Sequence, residues 1–213
     1  MEWLELVIDF IIHIDEHLIS IVSTYGLWTY LILFLIIFAE TGLVVTPFLP
    51  GDSLLFAAGA ICATGALDPY ILFVLLFIAA VLGDFVNYSV GNYVGLKIFR
   101  EDAKFFKMGY LEKTQAFFAK YGGKTIVIAR FVPIVRTYAP FVAGAGKMKY
   151  SRFFFYNVFG AFIWISLFIA AGYLFGNLPF VKNNFSLVVF IIIGISLVPI
   201  VVEFVKNRLR KKA

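Results

Sequence analysis

Four ionisable residues stand in apolar surroundings and flank proline turns. Glu40 and Asp52 bracket TGLVVTPFLPG, and Arg130 and Arg136 bracket FVPIV. A charged side chain at membrane depth is costly, so it defaults to a binding or transport role. Arginine offers a planar fork of donors that matches phosphate. Helix ends created by the broken backbone would add N–H groups at the same place. Arg130 and Arg136 are therefore candidate phosphate ligands, and Glu40 and Asp52 candidate gating or proton-relay groups. A purely structural alternative is that Glu40 neutralises an arginine and ties two segments together with no solute involved. Asp84 and Asn87, three apart in the next apolar stretch, form a secondary polar pair. Asn87 fits core hydrogen bonding, and Asp84 is a candidate partner for an arginine. Asn157 and Trp164 read as packing and anchoring residues.

Other chemistries are poorly supplied. Cys62 is the single cysteine, which excludes an internal disulfide and a cysteine-rich metal site. His13 and His17 sit one turn apart without further ligands, so neither a metal nor any other cofactor is expected. No His–Asp–Ser arrangement is evident, and an enzyme is disfavoured.

The elements that carry these residues must be membrane elements. Of 213 residues, 62% are hydrophobic and 15% charged. Soluble domains are nearer 45–50% apolar and about 25% charged. Too few charges remain to cover a soluble surface. A cytosolic enzyme and a nucleic-acid-binding domain are excluded on that ground. The 26 Phe and 11 Tyr suit lipid-facing and interfacial surface.

The reading along the chain is of one all-α membrane domain, 1–213. Residues 1–24 form an amphipathic N-terminal helix, with Glu2, Glu5, Asp9, His13 and Glu16 on one stripe. No basic region precedes an apolar run there, so a signal peptide is not expected. Residues 26–96 make a first repeat. Pro47, Pro50 and Gly51 break it into half-helices over about 26–44 and 52–66, followed by a span over 69–96. Residues 97–124 are a cytoplasmic amphipathic connector, with a short helix stopped by Gly122 and Gly123. Residues 125–178 make a second repeat, a broken segment over 125–146, interrupted by Pro133 and Pro140, and a span over 153–178. A last transmembrane helix over 184–205 and a basic tail over 206–213 follow. Gly83, Gly91, Gly160 and Gly172 could equally serve internal packing or a homodimer seam.

Basic charge sets an orientation. Seven Lys or Arg fall in 97–124, three in 147–152 and five between Lys206 and Lys212. The positive-inside rule places all three in the cytoplasm. The two broken segments then enter from opposite faces as re-entrant hairpins. An inverted repeat with broken helices meeting near the midplane is a transporter pattern.

Four stretches, FAETGLVVTPFLPGDSLLFAAG (38–59), GDFVNYSVGNYVG (83–95), KYGGKTIVIARFVPIVRTYAPFVAGAGKMKYSRF (120–153) and NVFGAFIWISLFIAAGYLFG (157–176), resemble the DedA family, also called SNARE-associated or VTT-domain membrane proteins. The resemblance runs from about Tyr25 to Phe175. It implies functional roles for Glu40, Asp52, Arg130 and Arg136, none of which departs from the family pattern. It also implies two oppositely oriented re-entrant hairpins and a bacterial cytoplasmic membrane. Some bacterial members are undecaprenyl phosphate translocases that recycle the lipid carrier of cell-wall synthesis, and others are linked to the proton-motive force. The expected partners are therefore undecaprenyl phosphate, membrane phospholipids and protons. A proton-coupled transporter of a small ion or solute, a phospholipid scramblase and a structural or assembly protein remain as alternatives.

Overall fold

The computed structural model describes residues 24–43, 51–96, 108–179 and 181. The N-terminal helix, the proline turn before Gly51, the start of the connector, the last span and the basic tail lie outside the described residues. Among the described residues all regular structure is helical. The order is α1 (Gly26–Gly42), α2 (Gly51–Ala63), α3 (Pro69–Val94), α4 (Met108–Tyr121), a 3-10 turn (Gly122–Lys124), α5 (Thr125–Ala129), α6 (Pro133–Ala145) and α7 (Tyr150–Gly176). Two short helices followed by a long one therefore occur twice. The expected half-helices correspond to α1 and α2, and the expected spans to α3 and α7.

Local chemistry sets the ends. Asp68 caps α3, its Oδ1 accepting from the backbone N–H groups of Tyr70 at 2.8 Å and Ile71 at 2.9 Å. Pro69 then fills the first helical position, where a missing N–H costs nothing. In the second repeat only one break forms, at Arg130–Val132. Val132 is extended (φ −123°, ψ 104°) because Pro133 disfavours helical backbone before it. Helix α6 begins at Pro133 and runs on through Pro140, which does not interrupt it as the sequence suggests.

At about 1.5 Å per residue, the 26 residues of α3 and the 27 of α7 exceed a hydrocarbon core of about 30 Å. The outer face of α3 is apolar (Ile71, Val74, Ile78, Leu82 and Phe85 are exposed), whereas Asp84 and Asn87 are buried. Apolar outside and polar inside is the arrangement that suits lipid rather than water.

The chain divides into two compact units. The first takes residues 1–30, 50–72 and 168–213, and the second 31–49 and 73–167. In the first unit, α2 crosses the C-terminal part of α7. A Cβ on Gly172 would fall 2.0 Å from the Phe56 carbonyl oxygen, and one on Gly59 2.4 Å from that of Ile169. In the second unit, α3 meets α6 in the same way. A Cβ on Gly91 would lie 2.1 Å from the Phe141 oxygen, and one on Gly144 2.0 Å from that of Tyr88. Gly83 faces Thr41 and Gly42 at the end of α1, and Gly160 faces Val127. Backbones approach this closely only where side chains are absent. Gly83, Gly91, Gly160 and Gly172 thus serve packing inside the protein and give no support to a dimer seam.

Candidate functional site

The second unit draws two arginines and two carboxylates inward, with Arg130, Asp84 and Glu40 buried and Arg136 nearly so. Arg130 sits in the break between α5 and α6, and Arg136 in the first turn of α6. Glu40 lies near the end of α1, and Asp84 on the inner face of α3. The Arg130 Nη2 donates to Asp84 Oδ2 at 2.6 Å and to Asn157 Oδ1 at 2.7 Å. Arg136 Nη1 stands 3.3 Å from Glu40 Oε1. The first is a short charge-assisted bond and the second a looser contact.

Asn157 is fixed from behind. Its Nδ2 donates to the Val81 carbonyl at 3.1 Å, which turns its oxygen toward Arg130. One turn further along α7, a Cβ on Gly160 would lie 3.2 Å from Arg130 Nε and 3.3 Å from its Cδ. One turn beyond that, the fully buried Trp164 ring lies 4.1 Å from the Arg136 guanidinium carbon and 5.7 Å from that of Arg130. Residues 157, 160 and 164 share one helix face. That face presents an acceptor, a bare stretch of backbone and a π surface to the two arginines.

Asn87 joins the elements that carry Glu40 and Arg136. Its Nδ2 donates to the Thr41 carbonyl at 3.2 Å and the Thr137 carbonyl at 3.0 Å. Each acceptor is the chain neighbour of one member of the ion pair. Thr41 also donates its hydroxyl to the Ile37 carbonyl at 2.9 Å, within its own helix.

Glu40, Arg130, Arg136, Asp84 and Asn87 thus fall together in the second unit. Asp52 belongs to the first unit, where it is half-buried in the first turn of α2. Asn157 and Trp164, which read from sequence as packing and anchoring residues, are both neighbours of the arginines, and Gly160 joins them. The available signal is a single amide in an apolar helix, spaced three and seven residues from a glycine and a tryptophan. Among the described residues, no group of three or more His, Cys, Asp or Glu could hold a metal ion.

The VTT domain family matches residues 49–174, more than half of the chain. Protein DedA of Escherichia coli K12 is 53% identical over 211 residues, covering 98% of this chain and 96% of that protein. The uncharacterized membrane protein Rv0364 of Mycobacterium tuberculosis H37Rv is 43% identical over 173 residues, covering 79% and 75%. The inner membrane protein YghB of E. coli K12 is 33% identical over 177 residues, covering 83% and 78%. No solved structure matches.

Proposed function

This chain belongs to the VTT-domain family of membrane proteins, and from that premise we propose that it moves undecaprenyl phosphate between the leaflets of a bacterial cytoplasmic membrane, returning the carrier lipid for reuse. The observation that carries this reading is a pair of inward-facing arginines, Arg130 and Arg136, beside described helices whose outer faces are apolar. The phosphate headgroup binds at Arg130 and Arg136 while the prenyl tail stays in lipid. Supporting this, Arg130 is 2% exposed, yet its Nε and Nη1 have no hydrogen-bond partner among the described residues. Buried donors without acceptors are expensive, and an oxyanion would satisfy them.

The balance of charge points to how the lipid enters. Asp84 and Glu40 neutralise Arg130 and Arg136. An anion gains net attraction only when one carboxylate withdraws or takes a proton. Glu40, at 3.3 Å, is the looser of the two. It leaves Arg136 as the phosphate arrives and is the first proton acceptor. Asp52 is the second relay. The two broken segments enter from opposite faces as re-entrant hairpins, with the basic connector, the 147–152 turn and the C-terminal tail in the cytoplasm.

The test is transport of undecaprenyl phosphate in proteoliposomes, read by a probe confined to one side. Wild-type protein is expected to equilibrate the lipid between leaflets, and the Arg130→Ala, Arg136→Ala double variant to leave it where it was loaded. Normal movement by the double variant would refute the reading.

A further inference from the structure

Arg130 and Arg136 are held differently. Asp84 and Asn157 both accept from one nitrogen of Arg130, Nη2, and so use both of its hydrogens. Nε and Nη1 are left with three N–H groups between them and no partner among the described residues. Gly160 lets α7 pack directly against the Arg130 side chain, since a Cβ there would lie 3.2 Å from Nε. The hold is also rigid. Asp84 comes from α3 and Asn157 from α7, with the Asn157 amide oriented by the Val81 carbonyl.

We propose that Asp84 and Asn157 are positioning residues that clamp Arg130 through Nη2, so that Nη1, with both of its N–H bonds unpartnered, is a fixed, pre-set donor for the oxygens of a phosphoryl headgroup. This rests on the lipid-phosphate reading of the site. Asp84 supplies position and neutralises a single charge, and it stays with Arg130 throughout the cycle. Glu40 is the carboxylate that exchanges. The two acidic partners therefore have different duties although each faces an arginine.

The clamp predicts an ordered response to charge at Nη2. Asn157→Asp adds a negative charge beside Arg130 and weakens the phosphate's hold, raising KM on the order of tenfold. Asp84→Asn leaves the site with one excess positive charge. It holds the anion more tightly and releases it more slowly, so KM and kcat fall together, again on the order of tenfold. The exchange variant Asp84→Asn, Asn157→Asp moves the carboxylate across Nη2 without changing the total, and restores KM to within a few-fold of wild type.

The experiment measures undecaprenyl phosphate movement in proteoliposomes against lipid concentration for these four proteins, with thermal unfolding of each in detergent as a check on folding. Opposite KM shifts in the single variants, with recovery in the exchange variant, support the clamp. Should a single variant fail to fold, recovery of wild-type KM by a folded exchange variant still supports it. Equal KM in every folded variant overturns the clamp and leaves the lipid-phosphate reading intact. A wild-type protein that moves no undecaprenyl phosphate overturns both.

Discussion

Arg136 faces Glu40 across 3.3 Å, and Asn87 ties the residues beside them, Thr137 and Thr41, to a single side-chain nitrogen. The ion pair is thus loose while the backbone on either side of it is fixed. The proposed opening of the pair requires that combination, because separation of the charges should not unravel the helices that carry them.

Glu40→Gln tests the pair directly. It removes the carboxylate that faces Arg136, and removing one member of a buried pair costs about 3–5 kcal/mol. The single variant is expected to melt at a clearly lower temperature and to lose most transport. Glu40→Gln, Arg136→Gln removes both charges and is expected to recover much of the melting temperature with transport still absent. Transport recovering in parallel with stability would reduce the pair to a structural tie.

Asn87 offers a separate prediction about the scaffold. Its two hydrogen bonds contribute about 1 kcal/mol each, with a further cost for the carbonyls left unpaired. Asn87→Ala is therefore expected to lose on the order of 2–3 kcal/mol. Asn87→Asp should lose more, because it turns a carboxylate oxygen toward the Thr41 and Thr137 carbonyls where a donor stood. Chemical denaturation in a mixed detergent would rank the two variants, and the reverse order would contradict the bridge.

Much of this was legible in the sequence because prolines and charges are costly in lipid. VTPFLPGD and RFVP announced breaks, and α2 and α6 start within their last residues, at Gly51 and Pro133. Asp84 in an apolar stretch raised the prospect of an arginine partner, and Arg130 is that partner. The sequence could not tell which arginine takes which acid, since that depends on how α3, α6 and α7 cross. Nor did it show Asn157 as an arginine ligand. An amide in a helix is equally suited to packing, and only the Val81 carbonyl on a neighbouring helix turns its oxygen inward. Glycine was ambiguous for the same reason. A missing side chain marks close approach but not the partner approached.

The glycines can be sorted by experiment. A Cβ on Gly91 meets the Phe141 carbonyl at 2.1 Å, and that atom belongs to backbone and cannot swing aside. Gly91→Ala is expected to force α3 and α6 apart and cost several kcal/mol, in the range of severe overpacking. At Gly109, in α4, an added Cβ would have nothing within 4 Å. Gly109→Ala should raise stability by about 0.5–1 kcal/mol through better helix propensity. Equal melting temperatures for the two variants would mean that α3 and α6 stand further apart than backbone contact.

The turn between α6 and α7 holds an unusual residue. Met148 N–H donates to the Ala143 carbonyl and Lys147 N–H to that of Gly144, each at 3.0 Å, which closes α6 in the manner of a Schellman cap. That cap needs a left-handed residue, and the place is taken by Lys147 at φ 56° instead of glycine. Left-handed backbone costs an ordinary residue about 1–2 kcal/mol. The turn is kept in shape by the Tyr88 hydroxyl, which donates to the Met148 carbonyl, and by the Tyr88 ring stacked on Phe153. Lys147→Gly is therefore expected to stabilise the protein by about 1 kcal/mol despite losing a basic charge, whereas Lys147→Ala keeps the strain and gains nothing. Thermal unfolding of the two variants side by side decides it, and a glycine variant that melts no higher than the alanine one would show that the turn relaxes without left-handed backbone.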